Sequence, residues 1–184
     1  MSKTPDYKDV ISFWFEETKP KQWFAKDVLF DETIRMRFAD VHAKAVKGEL
    51  SKWRRFGALG RLAEIIVLDQ FSRNLYRDDP RQFAADTVAL VLAQEAVRGD
   101  FDQRLTKEQR VFLYLPFMHS ESAHIHKKAL KLYTELGLKQ NLDFEEKHKA
   151  IIDRFGRFPH RNEVLGRIST EEEIEFLKLP DSHF

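Results

Sequence analysis

The feature that most narrows the fold is the spacing of apolar residues, which recur three and four positions apart from one end of the chain to the other. In "DYKDVISFWFEE" the residues Val10, Phe13, Trp14 and Glu17 fall at that spacing. In "FDETIRMRFADVHAKAVKG" the residues Ile34, Phe38, Val41 and Ala45 share one face, with Asp31 read as the N-cap and Gly48 as the stop. A third helix, "ALGRLAEIIVLDQFSRN", is apolar on most sides and is therefore read as central. After the turn "RDDP" comes a fourth, "RQFAADTVALVLAQEAVRG", ended by Gly99. "TKEQRVFLYLPFMH" opens with a Thr106–Gln109 capping box and is disturbed by Pro116. "SESAHIHKKALKLYTELG" and "FEEKHKAIIDRFG" follow, and "STEEEIEFL", with Thr170 and Glu173 as capping box, is the last. No Asn-Gly or Asp-Gly hairpin signal and no sustained alternation competes with this pattern.

The expectation is one all-α domain over residues 1–184, with about eight helices. The fourth and sixth helices end in glycines at 99 and 137, each closing the second arm of a helix pair. That spacing predicts antiparallel pairs stacked as a tetratricopeptide-like right-handed superhelix, although the consensus residues of that repeat are missing. Cysteine is absent, which excludes disulfides, thiolate zinc sites and cysteine nucleophiles, and suits a reducing cytoplasm. No apolar run approaches the length of a membrane helix. The balance of 31 basic against 30 acidic residues argues against a nucleic-acid binder, so any basic site must be local. No cofactor is expected.

Three segments carry more polar groups than their apolar surroundings explain: "LDQFSRNLYR" (68–77), "PFMHSE" (116–121) and "RFGRFPHRN" (154–162). They close helices three, five and seven, which run the same way in an up-down array, so their ends are expected along one edge. That edge would gather Asp69, Gln70, Arg73, Asn74 and Arg77 with His119, Ser120 and Glu121, and with Arg154, Arg157, His160, Arg161 and Asn162. Arginine forks of this kind suit a carboxylate or phosphate held through two parallel hydrogen bonds. His119, Ser120, Glu121 and His160 are the candidates for acid–base or nucleophilic chemistry, with Ser120 also read as the N-cap of the sixth helix. His119, His124 and His126 are five and two residues apart, which is poor spacing for metal ligands on a helix, and no metal site is expected. In the third segment Phe155 and Phe158 are expected to anchor the loop, Gly156 to end helix seven and Pro159 to stiffen its exit.

The segments "SFWF", "LDQFSRNLYRDDPRQFAAD", "PFMHSE", "RFGRFPHRN" and "LGRISTEEEIEFL" together resemble the bacterial and fungal family catalogued as domain of unknown function 924, across nearly the whole chain. The resemblance implies a tetratricopeptide-like all-helical fold. It marks Asp69, Gln70, Arg73, Asn74, His119, Ser120, Glu121, Arg157, His160, Arg161 and Asn162 as motif positions. At His126 the chain departs from the glutamine usual in that family. Three readings follow. The first is a pocket for a small anionic molecule, with a hydrolase-type enzyme as its catalytic form. The second is an interaction module taking a peptide or helix, favoured by exposed Trp23, Phe24 and Trp53. The third is an ion-pair network that serves architecture alone. The residues do not choose between catalysis and binding, nor do they fix the oligomeric state.

Overall fold

A computed structural model describes residues 4–180 and 182. The helices are α1 (Tyr7–Ser12, extended by a wide π turn, Phe13–Glu17), α2 (Val28–Val46), α3 (Gly57–Ile66), α4 (Ser72–Leu75), α5 (Asp86–Arg98), α6 (Lys107–Met118), α7 (Ala123–Leu136), α8 (Lys139–Phe155) and α9 (Glu171–Leu177). A second π turn, Val67–Phe71, joins α3 to α4 without a break, so the described residues form the eight helices expected and no strand. No helix among them is long and apolar enough to cross a membrane.

Residues Met1–Arg77 and Arg81–Pro116 form one compact unit, and Asp78–Pro80 with Phe117–Phe184 form another. The first is built on rings. Trp14 is fully buried and meets Phe71 and Phe112 edge-on, with centroids 5.6 Å away in both cases. Phe13 and Phe71 each lie 5.0 Å from Phe38, and Ile34, Leu62, Ile65 and Ile66 fill the space around them. Edge-to-face ring pairs add to the stabilisation that burial alone supplies. The extra residue of the Val67–Phe71 turn shifts the helical register, and all five of its residues are buried, Asp69 and Gln70 included.

The second unit contains the helical hairpin α7–α8, linked by Gly137 in the left-handed conformation, φ 71°. Past α8 the chain turns at Gly156, φ 69°, and Phe158 is extended, φ −90° and ψ 108°, as a residue before proline must be. Phe158 is fully buried with Ile151 and Ile152, while Phe155 is half-buried and packs on Phe176 at 5.1 Å. One ring of the pair thus anchors the loop from within and the other from its edge.

Local corrections concern helix starts. The cap of α2 is Asp27, whose carboxylate accepts from the N–H groups of Leu29 and Phe30, and Asp31 is buried one turn further on. The helix expected from Arg81 begins at Asp86, after a short 3-10 turn at Pro80–Gln82, and α8 begins at Lys139. Ser122, not Ser120, stands at the N-cap of α7. The capping boxes at Thr106–Gln109 and Thr170–Glu173 are both formed, each with its two reciprocal bonds.

Gly60 on α3 is a sharp test of the packing. A Cβ there would stand 1.9 Å from the backbone oxygen of Trp53. Glycine to alanine within a helix ordinarily stabilises by about 1 kcal/mol. Here Gly60→Ala is expected to reverse that sign and lose about 2 kcal/mol, as overpacking does. At Gly156, where a Cβ meets nothing and only the positive φ resists it, alanine is expected to lose about 1 kcal/mol. Urea unfolding of both variants measures this, and a Gly60→Ala protein as stable as the parent refutes the close approach.

Candidate functional site

The motif residues fall in the two units, and each group has its own geometry. In the first unit, Asp69 accepts from the amide of Gln70 at 2.6 Å and stands 3.2 Å from Arg73. Arg73 also donates to the Asp69 carbonyl at 2.8 Å and grips Asp86 through both terminal nitrogens, at 3.0 and 3.1 Å. Arg77 grips Asp31 through Nε and one terminal nitrogen, at 2.7 and 2.8 Å, and Asn74 donates to the same carboxylate at 2.8 Å. Two buried acids therefore bind three motif side chains. Ser72, also buried, receives a hydrogen-bond partner in His42 at 2.8 Å, whose pKa burial lowers.

In the second unit the loop after α8 is tied down by two carboxylates. Glu173 accepts from both ends of the Arg157 fork, at 2.6 and 2.7 Å, from the Thr170 N–H at 2.8 Å and from Asn162 at 3.3 Å. The Arg157 guanidinium is the largest reason that the Glu173 carboxyl is held down at about 2, against an opposing push from burial. Glu121 accepts from the Phe158 N–H at 2.7 Å and from Arg167 at 2.7 and 2.9 Å. Burial raises its pKa, but Arg167, the Phe158 N–H and the nearby Arg161 together bring it below the usual range.

Around Phe158 the same unit collects histidines. The ring centroids of His148 and His160 lie 5.6 Å from that of Phe158, and that of His126 lies 6.2 Å away. The Arg161 guanidinium stands over the ring at 4.6 Å and donates to the His119 carbonyl at 3.0 Å. His126 is fully buried, with Nε2 2.9 Å from the Ser120 carbonyl and Nδ1 2.8 Å from Glu145. Since a carbonyl only accepts, Nε2 carries a proton. The Nδ1–Glu145 contact then holds one more, shared between ring and carboxyl. Burial raises the Glu145 pKa, which His126 only partly offsets, and the second carboxylate oxygen of Glu145 is buried with no partner among the described residues. His148 donates from Nδ1 to the Phe144 carbonyl at 2.8 Å, which makes Nε2 the ring's acceptor. Its pKa is pushed down to about 3, first by burial and then by its neighbours His119, His126 and His160, so it is neutral at physiological pH.

The three consecutive candidates His119, Ser120 and Glu121 are used separately. Glu121 faces Arg167 and the Phe158 N–H. Ser120 offers its carbonyl to His126, and its hydroxyl has no hydrogen-bond partner among the described residues. A serine nucleophile needs its base within hydrogen-bond reach, an arrangement absent from these contacts. No group of three or more His, Asp or Glu side chains among the described residues is placed to hold a metal. Sequence reasoning took Glu173 only as a capping residue and did not single out Glu145, Arg167 or Asp86. A glutamate and a histidine at positions 145 and 148, on the inward stripe of α8, were the available signal.

Such an all-helical protein, with arginine motifs locked onto buried acids and a histidine cluster around one ring, is of a class for which a relative is known. The sequence pattern of a bacterial family of proteins of unknown function, DUF924, matches residues 10–181, and the chain belongs to that family. It is also similar to the solved structure of a protein of unknown function from Agrobacterium tumefaciens. The two are 41% identical over 94% of this chain and 96% of the other, with a TM-score of 0.89. No curated protein matches it.

Removing the Arg157 fork tests how far the loop depends on Glu173. Glu173 ionises far more readily folded than unfolded, where a glutamate titrates near 4.3. Its contribution is therefore full above about pH 4.5 and is lost as pH falls through about 2. Arg157→Ala is expected to lower the melting midpoint by several degrees at pH 7, with the gap to the parent closing below pH 4. An unchanged midpoint at pH 7, or a gap independent of pH, overturns this.

Proposed function

We propose that the protein binds a small anionic molecule, a carboxylate or phosphate, at the histidine cluster of its second unit. The observation that carries this reading is the grouping of His126, His148, His160 and Arg161 around the Phe158 ring, with His119 an electrostatic neighbour of His148 and its carbonyl accepting from Arg161. Titratable groups with displaced pKa values gather at functional sites more often than elsewhere, because each needs burial and specific neighbours to be held there. His119 and His160 are half-buried, whereas His126 and His148 are buried. In this reading Arg161 supplies charge, and His119 and His160 supply donors and proton transfer. Arg157, Asn162 and Glu121 fix the loop that presents them. Asp69, Gln70, Arg73 and Asn74 frame the first unit. A hydrolase form would use Ser120 as nucleophile, with one of the half-buried histidines moved into reach. The absence of cysteine supports a reducing, cytoplasmic location.

A second reading, a tetratricopeptide-like interaction module, has one observation in its favour. An open groove of about 280 Å³ between α8 and α9 is floored by Ile151, Phe155 and Phe176, with Lys147 and Arg154 at its rim. Of the aromatic residues that would favour such a role, Phe24 is 68% exposed, Trp23 is half-buried and Trp53 is buried.

Thermal melting against a panel of phosphate monoesters and di- and tricarboxylates tests the first reading. A true ligand at 100 times its Kd adds about 2.7 kcal/mol, which for a chain of this size raises the midpoint by roughly 5–10 °C. The shift is expected to disappear in His160→Ala and His119→Ala. A panel with no active compound, or a shift retained in both variants, defeats the proposal.

A further inference from the structure

The geometry points to the groove between α8 and α9 as a docking site for a peptide segment of another protein that presents one large apolar side chain beside a carboxylate. The inference rests on the second reading above, the interaction module, whose partner it names, and it uses none of the histidine cluster.

The groove follows from helix register. Lys147, Ala150, Ile151 and Arg154 recur three and four positions apart, so they lie along one stripe of α8. That stripe is apolar in its middle and cationic at both ends. Phe176 faces it from α9, and Pro180, just past that helix, completes the lining. The Phe155 and Phe176 rings, 5.1 Å apart, both pack on the buried cluster of Ile151, Ile152 and Phe158, so the floor is fixed from beneath.

Volume decides what can enter. The groove holds about 280 Å³ and is open along one side, whereas pockets that enclose a free ligand run to roughly 300–1,000 Å³. An apolar cavity of about 150 Å³ takes a benzene ring. The groove therefore fits one ring-sized side chain and leaves the rest of its owner outside, where a peptide backbone would cover the open side. An apolar anchor seated in a pocket with polar groups at its edge is how protein interfaces concentrate their affinity.

Charge selects the neighbour of that anchor. No acidic residue lines the groove among the described residues, and its charged rim is Lys147 and Arg154. The Arg154 guanidinium stands 4.7 Å from the Phe155 centroid and 5.9 Å from that of Phe176. It donates through Nε and one terminal nitrogen to a single oxygen of Glu172, at 2.8 and 2.7 Å. These two side chains are 50% and 62% exposed, so water screens the pair, and Arg154 can exchange Glu172 for an incoming carboxylate without stranding a buried charge. Other acids of the two helices are held by cations of their own: Asp153 by Lys149, Glu175 by Lys178 and Glu173 by Arg157. A carboxylate next to the anchor thus meets two cations at the rim, and a cation in its place would be repelled by them.

The test is a titration of the full ¹⁵N-labelled chain at constant ionic strength with three acetylated tripeptide amides: Glu-Phe-Glu, Gln-Phe-Gln and Glu-Ala-Glu. Glu-Phe-Glu is expected to move the amide signals around Ala150 and Phe176 along one saturating curve, with a Kd of about 1 mM or tighter. The other two should each bind about tenfold more weakly. Arg154→Met, which keeps the apolar stem on the rings, should bring Glu-Phe-Glu down to the level of Gln-Phe-Gln. Ala150→Leu, at an exposed position where both residues are good helix formers, fills the groove and should abolish binding, while His160→Ala leaves it intact. Equal affinity for Glu-Phe-Glu and Gln-Phe-Gln overturns this inference, although the interaction module survives it. No response to any peptide, or one that persists in Ala150→Leu, takes the groove away from both. Phenylacetate binding as tightly as Glu-Phe-Glu gives the groove to a free small acid, and a concentration-dependent dimer lost in Ala150→Leu gives it to a second copy. Either result also overturns the inference.

Discussion

Taking a carboxylate out of water costs several kcal/mol unless donors replace its hydration, and this protein buries six of them among its described residues: Asp31, Glu64, Asp69, Asp102, Glu145 and Glu173. Each has been given a specific set of donors. Asp31 takes Asn74 and Arg77, Glu64 takes Arg54, Asp69 takes Gln70 and Arg73, and Asp102 takes Tyr114 and Gln103. Glu145 takes His126, and Glu173 takes Arg157, Asn162 and the Thr170 N–H. The polar motifs are, in large part, the donor halves of these pairs. Their acceptor halves lie as far off as 46 positions in the chain. A helical array with this many inward acids can fold only when each helix meets the helix that carries its donors, so the ion pairs select register as well as partner.

Apolar packing sets the angles at which those donors arrive. The Val67–Phe71 turn adds one residue to a helical period, and so points Asp69 and Gln70 inward beside Leu68 and Phe71 rather than letting them alternate out to solvent. At the other end of the chain, Gly156 reverses direction and Pro159 stiffens the backbone. Phe158 between them is held by burial and by the Glu121 carboxylate on its N–H. Its ring is then the fixed surface against which His148, His160, His126 and Arg161 rest. A ring in the middle of a cationic segment thus does two jobs that pure charge could not do. It anchors the loop, and it supplies a weakly attractive face for the guanidinium.

The helices were readable because their signals are local. The Thr106–Gln109 and Thr170–Glu173 boxes, Gly156 as helix terminator and Phe158 as an extended residue all depend on neighbours within four positions, and all are present. Asp31 was misread for the opposite reason. Asp27 and Asp31 are equally good caps by sequence, and the choice is made by Asn74 and Arg77, 43 and 46 positions away. Ser120 was likewise read as a cap, whereas the chain continues two residues before α7 turns at Ser122, because the Ser120 carbonyl is held by His126. At the candidate sites, residue type was legible and pairing was not. An arginine-rich stretch looks like a waiting anion site until Glu173 is seen folded onto it, and the distance in sequence hides that fold.

The same pairing decides which motif residues have capacity left for a ligand. For Arg73 to bind an outside anion, it must release Asp86 or weaken its hold on the buried Asp69. Stranding one member of a buried pair costs about 3–5 kcal/mol. A micromolar ligand has only about 8 kcal/mol of binding free energy in all. A ligand recruited through Arg73 would therefore lose about half of its binding free energy to the rearrangement before making any new contact. His119 and His160 carry no such liability: imidazole exchanges hydrogen-bond partners without stranding a permanent charge, and both rings are half-buried rather than sealed. The physical division is between side chains whose charge completes the fold and side chains whose chemistry remains adjustable within it. Arg73, Arg77 and Arg157 belong with the first, as does His126 on the buried Glu145, and the half-buried His119 and His160 are the candidates for the second.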